Sequence, residues 1–282
     1  MADQRFGIST HLFHDQRLSH EHLATFARAG FHAIELFATR AHFDYEDAHA
    51  IDELAGWLQE SGVSLHSMHA PIYEAGPKGQ TIGSLSTASG DERRRNAAVD
   101  ATCTALQVAR SIPFRFLVVH LGVVGKDVSP QDNRADAARR SLEAIVETAS
   151  LSGVRVAVEV IPNALSDSPA LVRLIEEDLE GADIGICLDY GHAHLMGDLG
   201  DGIETISGHL WTTHVHDNRG RLDEHLVPYA GTINWDAAMM ETQKIGYEGV
   251  LMFEVAGHGN PSDVLDRTVK ARARLEKTLI TF

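Results

Sequence analysis

The chain has 282 residues, with 24 Lys and Arg against 40 Asp and Glu, a formal net charge of −16, and 17 His. Its 44% hydrophobic and 23% charged residues are ordinary for a globular protein, which excludes disordered, collagen-like and low-complexity classes. The excess of acids argues against a nucleic-acid partner, because Lys and Arg supply non-specific affinity for phosphates.

Two cysteines are too few for a disulfide framework, which indicates a reducing compartment. The first residues contain no apolar segment of the secretory type, and no run of 18 apolar residues occurs. These features predict a cytoplasmic protein with no membrane partner, and a homo-oligomer is compatible with the sequence.

Eight short runs of apolar and β-branched residues predict β-strands, and an amphipathic segment typical of a helix follows each run. The strands are predicted at residues 6–10, 32–37, 63–69, 114–120, 154–161, 184–189, 211–216 and 250–255. The helices are predicted at residues 19–29, 45–61, 91–111, 132–152, 168–180, 201–208, 234–245 and 261–279. This alternation predicts one (β/α)₈ TIM-barrel domain over residues 1–282. An open doubly wound sheet is the alternative, although no Gly-x-Gly-x-x-Gly follows the first strand.

The residues of several strands divide by alternation into a bulky face and a face that ends in a carboxylate. In the fifth strand, Val156 and Val158 share one face, and Ala157 and Glu159 share the other. The sixth and eighth strands end on Asp189 and Glu254 in the same way. Because the bulky faces suit packing against helices, we expect the carboxylates to point into the barrel at its catalytic rim.

Side chains that can bind metal end or follow six consecutive predicted strands. They are His69, His120, Glu159, Asp189, His192, His214, Asp223, His225 and Glu254. Four carboxylates buried together would cost several kcal/mol each without a cation, which predicts a divalent metal. His with Asp and Glu suits Zn²⁺ or Mn²⁺, and the sequence leaves the choice open.

Nine ligands exceed the needs of one ion, so we expect one to three. Glu159 could bridge two ions, with Asp189, His214 and Glu254 completing one site. A second site would use His69 and His120, and a third would use His192, Asp223 and His225.

Seven segments in chain order resemble the xylose-isomerase-like TIM-barrel superfamily. They are HAP (69–71), VVHLG (118–122), VEVIPN (158–163), GICLDYGH (185–192), HVHDN (214–218), DEHL (223–226) and FEV (253–255). The superfamily contains sugar isomerases and epimerases, and also the endonuclease IV type of abasic-site nuclease.

The resemblance implies roles for the same residues. Glu159, Asp189, His214 and Glu254 match the metal set of the epimerases, in which the two Glu residues also exchange the proton. His192 matches a His that contacts substrate or metal. The remaining four ligands match the trinuclear zinc site of the nucleases; they are His69, His120, Asp223 and His225.

The chain departs from the nuclease pattern at three places, one of which is Tyr190-Gly191 between Asp189 and His192, where the nucleases carry a small polar residue and Cys. It also has GISTHLF (7–13) in place of a GAHVS-like opening, and Ile72-Tyr73 where the nucleases insert a Tyr-Leu pair into DNA. The loop 70–90 that would meet DNA carries one Lys, Lys78. These departures favour the isomerases.

Three functions follow, in order of preference. The first is a metal-dependent isomerase or epimerase of a sugar, keto-sugar or related polyol, with Glu159 and Glu254 as the catalytic residues. The absence of a phosphate-binding Gly-rich loop favours an unphosphorylated substrate. The second is a zinc phosphodiesterase acting on abasic-site DNA or another phosphoester, and the third is a non-catalytic binding protein.

The remaining predictions concern side chains that contact the substrate and histidines at the surface. His11, His192, His216 and Arg219 are expected to contact the substrate, because they lie at or just beyond strand ends. Six further histidines are expected at the surface; they are His20, His22, His42, His49, His209 and His258.

Overall fold

Eight parallel strands close into a barrel in the computed structural model, which describes residues 5–76, 81–124, 128–197, 199–257 and 259–281. The strands are β1 (Phe6–Ser9), β2 (Ala33–Phe37), β3 (Ser64–His69), β4 (Tyr73–Ala75), β5 (Thr81–Ser84), β6 (Phe116–Val119), β7 (Arg155–Glu159), β8 (Ile184–Asp189), β9 (Leu210–Val215) and β10 (Leu251–Phe253). The barrel order is β1-β10-β9-β8-β7-β6-β3-β2, and β1 pairs with both β2 and β10. This closure confirms the predicted (β/α)₈ TIM barrel and excludes the open sheet.

Helices surround the barrel and connect its strands. They are α1 (His20–Arg28), α2 (Ala48–Ser61), α3 (Glu92–Leu106), α4 (Ala135–Leu151), α5 (Ser168–Arg173), α6 (Tyr190–Met196), α7 (Leu199–Thr205), α8 (Trp235–Lys244) and α9 (Pro261–Thr281). Acidic side chains cap several of their first turns: Asp91 accepts from the Arg94 amide at 3.0 Å, and Asp167 accepts from the Ala170 amide at 2.8 Å. Within the described parts of the chain, no helix is long and apolar enough to cross a membrane.

Two elements were not predicted. The antiparallel pair β4–β5 lies in segment 70–90, for which the sequence predicts a loop, and Lys78 in that segment lies outside the described residues. Helix α6 begins directly after β8, because the Asp189 side chain accepts a hydrogen bond from the His192 amide at 2.7 Å and caps the helix.

The barrel interior follows the predicted alternation of faces. Val118, Ala157 and Cys187 pack against one another inside the barrel, apart from the large core between strands and helices. Trp211 fills the base of the barrel so closely that a Cβ on Gly185 would lie 2.0 Å from its indole. These side chains fill the lower interior of the barrel, and the carboxyl ends of the strands lie above them.

The predicted surface position of His42 is wrong. Its side chain is completely buried, and its Nδ1 lies 2.6 Å from the carbonyl oxygen of Gln16. The Leu18 amide donates to the His42 carbonyl at 2.8 Å, so the residue ties together the loops after β1 and β2. His20 and His49 are exposed as predicted, and His258 lies outside the described residues. Loop contacts of this kind leave no periodic pattern in the sequence.

Burial lowers the pKa of His42 to about 4. The unfolded chain has an imidazole pKa of about 6.5, so it binds more protons than the folded protein between about pH 4 and about pH 6.5. We expect His42 to contribute stability above about pH 6.5 that is lost as the pH falls through this window. Urea unfolding of His42→Asn, which retains a donor for the Gln16 carbonyl, should show a shallower loss of stability on acidification.

The matched control is His49→Asn, since the His49 side chain is 80% exposed. This variant should keep the wild-type pH dependence. Equal slopes for His42→Asn and the wild type would contradict the prediction.

Candidate metal centre

The nine predicted ligands surround one pocket of about 180 Å³ at the carboxyl ends of the strands. Seven of them line it; they are His69, His120, Glu159, His192, Asp223, His225 and Glu254. Asp189 and His214 lie beneath the pocket floor and are completely buried. The structure therefore brings together residues from six different strands and the segments that follow them.

The first group of ligands surrounds one oxygen of Glu159. The Oε2 atom lies 3.2 Å from His69 Nε2 and 3.1 Å from His120 Nε2. His69 Nδ1 donates to the Ala70 carbonyl at 2.8 Å, which orients the ring and leaves Nε2 available as a ligand.

The second group lies at the bottom of the pocket and contains Glu159, Asp189, His214 and Glu254. His214 Nδ1 is 3.4 Å from Glu159 Oε1, 3.4 Å from Glu254 Oε2 and 3.8 Å from Asp189 Oδ2. Three carboxylates thus converge on one ring nitrogen, as they would around a shared cation.

The third group contains His192, His216, Asp223 and His225. Asp223 Oδ2 lies 3.1 Å from His192 Nε2 and 3.1 Å from His225 Nε2. His225 Nδ1 donates to the Glu254 carbonyl at 2.8 Å, which leaves Nε2 available as a ligand. His216 stacks on His225 with a centroid separation of 4.0 Å, and its Nε2 contacts Asp189 at 2.9 Å.

Buried atoms without hydrogen-bond partners show that these residues fit a metal ion. Three buried atoms lack a hydrogen bond: Glu159 Oε1, His192 Nδ1 and His214 Nδ1. Glu159 Oε1 lies 3.2 Å from His192 Nδ1 and 3.4 Å from His214 Nδ1. Native proteins rarely leave buried polar atoms unsatisfied, and a cation among these nitrogen and oxygen atoms would satisfy them. Glu159 belongs to the first two groups and contacts His192 of the third, so its carboxylate joins all three.

The charges in the centre lower the pKa of Glu159 and raise the pKa values of His192 and His214. Burial alone would raise the pKa of Glu159, but the His120 and His214 imidazoles outweigh it and hold that pKa well below its usual range. Burial alone would lower the pKa of His192 and of His214, yet the surrounding acids raise both well above the usual value. Without a metal ion the centre therefore stabilises protons on its histidines, in places that a divalent cation would take.

One buried carboxylate organises the segment that carries Asp223 and His225. Asp217 follows β9 and accepts hydrogen bonds from the Tyr229 amide at 3.0 Å and the Trp235 indole at 2.9 Å. Asp217 also pairs with Leu226 through two backbone hydrogen bonds of 2.7 and 2.8 Å. This anchored segment holds His225 at a φ of 44°, a left-handed conformation that costs energy for a side chain with a Cβ.

The predicted substrate contacts divide into two sets. His11 and His192 line the pocket, together with the apolar side chains of Phe37 and Tyr73. The His11 ring lies 4.9 Å from that of Phe37, and burial lowers the pKa of His11 well below its usual range.

His216 and Arg219 are not among the described residues that line the pocket. His216 is completely buried behind His225, where its neighbours are ligands. Arg219 points to the surface, because its guanidinium and its amide both pair with the Glu224 carboxylate. Strand-end position alone did not separate a side chain that faces the pocket from one that turns away.

Glu35 is a site residue that the sequence analysis missed. It lies in the middle of β2, is completely buried, and contacts His214. The signal was available: Glu35 shares a face with Phe37, so alternation places its charge inside the barrel, where a partner is needed.

The comparisons with known proteins agree with this architecture. The model of the family "Xylose isomerase-like TIM barrel" matches residues 23–277. A crystal structure of a D-tagatose 3-epimerase-like protein is 25% identical, with a TM-score of 0.79, and the match covers 98% of this chain and 97% of that one. The IOLI protein with a zinc atom is 16% identical over 96% of this chain and 97% of that one, with a TM-score of 0.76, a likeness of fold.

Two curated relatives cover most of the chain. An uncharacterized protein of Methanocaldococcus jannaschii is 27% identical over 90% of this chain and 84% of its own length. A putative hydroxypyruvate isomerase of Streptomyces coelicolor is 25% identical over 93% of this chain and 94% of its own length. The family match spans most of the closed barrel and all nine candidate ligands, and the chain therefore belongs to the xylose isomerase-like TIM-barrel family.

Proposed function

We propose that this protein is a metal-dependent isomerase or epimerase of a sugar, keto-sugar or related polyol. The observation that carries the proposal is the group Glu159, Asp189, His214 and Glu254, whose two glutamates both face the pocket. The names of similar proteins support it, since they include a D-tagatose 3-epimerase-like protein and a putative hydroxypyruvate isomerase.

These four residues would hold the ion. A divalent cation bound there would polarise a substrate carbonyl and the neighbouring hydroxyl, which makes the hydrogen on the intervening carbon acidic. Zn²⁺ or Mn²⁺ suits this mixture of imidazole and carboxylate ligands. The other two groups give room for up to three ions.

Glu254 and Glu159 would move the proton. In the barrel, β8 and β9 separate β7 from β10, so the two carboxylates approach the pocket from different sides. Glu254 is the better base, because both oxygens of Glu159 already face imidazoles. We assign proton removal to Glu254 and proton return from the other side to Glu159, through an enediolate of the substrate.

The pocket suits a small molecule with oxygen atoms on one side. Its floor consists of the ligands, and its walls include Phe37, Ile72, Tyr73 and Val123. Among the described residues that line it, none is Lys or Arg, which favours an unphosphorylated substrate. Both cysteines are free thiols, in keeping with the predicted cytoplasmic location.

We expect exchange of the substrate hydrogen with solvent. Incubation of the metal-loaded protein in deuterium oxide with candidate substrates, including D-tagatose and hydroxypyruvate, should place deuterium on the carbon next to the carbonyl. Glu254→Gln should reduce this exchange by about 10²-fold or more, since a general base contributes about 10²–10⁴. Mass spectrometry of the recovered substrate measures it.

Glu248→Gln is the matched control, because Glu248 is exposed at the opposite end of the barrel. It should exchange at the wild-type rate. Turnover of a sugar with no deuterium incorporation would contradict the proton-transfer proposal.

Removal of metal should destabilise the protein as well as inactivate it. A ligand that binds only the folded state adds about 2.7 kcal/mol at 100 times its Kd. We therefore expect a chelator to lower the urea midpoint, and Zn²⁺ or Mn²⁺ to restore it. A midpoint indifferent to both treatments would show that no metal is held, and elemental analysis of the untreated protein would give the number of ions.

A zinc phosphoesterase is the second candidate, and one observation favours it. The three ligand groups are contiguous through Glu159, an arrangement that could clamp the attacking and leaving oxygens of a phosphodiester. The lack of a cationic side chain in the described pocket lining, where a polyanion would need one, ranks this candidate second.

An abasic-site DNA duplex and a gel assay with added Zn²⁺ separate the two candidates. We expect no incision above that of an Asp189→Asn control, which lacks a central ligand. Incision at the rate of an enzyme, about one per second or faster, would reverse the ranking.

A further inference from the structure

Glu35 is a further buried acidic side chain close to the candidate ligands, and it does not belong to the described lining of the pocket. It belongs to none of the candidate ligand groups, and it is completely buried in the middle of β2. Its Oε2 atom accepts a hydrogen bond from the Ser67 hydroxyl at 2.8 Å. An ionised carboxylate in such surroundings persists only when other groups satisfy it, so its second partner matters.

That partner is the side of His214 that faces away from the pocket. His214 Nε2 lies 3.0 Å from Glu35 Oε1 and 3.1 Å from Oε2. An ionised carboxylate can only accept, so Nε2 carries a hydrogen, and Nδ1, which faces Glu159, Asp189 and Glu254, is the nitrogen at which a metal ion would take the place of a proton. Glu35 therefore determines which nitrogen of His214 is available as a ligand.

The other oriented histidines use a different device. His69 and His225 each donate Nδ1 to a backbone carbonyl and present Nε2 to the centre. His214 is held the opposite way round, presents Nδ1, and depends on a side chain that can be changed by mutation. A carboxylate behind a ligating imidazole also increases the basicity of the ring, which strengthens its bond to a metal ion.

We infer that Glu35 is a positioning residue for the central metal site, and that Ser67 holds Glu35 in place for this role. The inference rests on the proposed function insofar as that function requires a metal at Glu159, Asp189, His214 and Glu254. Glu35 itself is not among the described residues that line the pocket.

The test is the affinity of the full-length protein for Zn²⁺, measured by competition with a chromophoric chelator. Glu35→Gln keeps the size of the side chain but removes its charge, so one Zn²⁺ equivalent should weaken by about 10–100-fold. Glu35→Asp keeps the charge with a shorter reach and should fall between this variant and the wild type. Co²⁺ bound in place of Zn²⁺ should show a changed absorption spectrum in Glu35→Gln, because the spectrum reports the His214 ligand directly.

Glu60→Gln provides the matched control. Glu60 Oε2 also lies beside a histidine, 3.5 Å from His20 Nε2, but both side chains are exposed and remote from the ligands. This variant should bind Zn²⁺ and Co²⁺ as the wild type does. If Glu35→Gln fails to fold, Ser67→Ala tests the same contact and should weaken the same equivalent by about fivefold, the value of one hydrogen bond.

The outcomes separate the inference from the proposed function. Wild-type affinity and an unchanged Co²⁺ spectrum in both Glu35→Gln and Ser67→Ala would overturn the inference, while the proposed function would stand. A wild-type protein that binds no divalent metal would overturn both. Weakened affinity, with activity restored at high metal concentration, would support a positioning role, since a collapsed site would not recover.

Discussion

The concentration of buried negative charge at one end of the barrel is the constraint on which the rest of the structure depends. Glu35, Glu159, Asp189 and Glu254 are each at most 3% exposed, and every one of them contacts at least one histidine. Such a cluster is tolerable only if positive charge enters it, whether as protons on the imidazoles or as a metal ion. Part of the unusual histidine content of the chain has its explanation here.

The barrel makes this cluster of buried charges possible because it places the charged groups on rigid strand ends. Alternation along β7, β8 and β10 turns one face of each strand inward, so the strands themselves bring Glu159, Asp189 and Glu254 into the same small volume. Below them, Val118, Ala157, Cys187 and Trp211 pack in the interior. Apolar packing and the candidate ligands therefore occupy opposite ends of the same strands.

Periodicity along the chain accounts for what the sequence could predict. All eight strands and the rim position of all nine ligands depend on short-range patterns, and the structure agrees with them. Contacts between distant segments leave no such pattern. The Glu35–His214 contact joins residues 179 positions apart, and the burial of His42 depends on the Gln16 carbonyl. The outward orientation of the Arg219 side chain could not be predicted from the sequence either, because it depends on Glu224 within an irregular loop.

The segment after β9, which carries Asp223 and His225, is held by different contacts from those that hold the rest of the centre. Glu159 and Asp189 are fixed by hydrogen bonds of the sheet. The segment that carries Asp223 and His225 is held by the hydrogen bonds that Asp217 accepts, by the two-bond bridge to Leu226, and by the hydrogen bonds of His225 with Glu254 and Ala256. Breaking that small set of contacts would relieve the strain at His225 without opening the barrel. Local opening of this kind would give an ion held by Asp223 and His225 its own route of exchange with the solvent. The centre would then combine a slowly exchanging interior with a quickly exchanging edge.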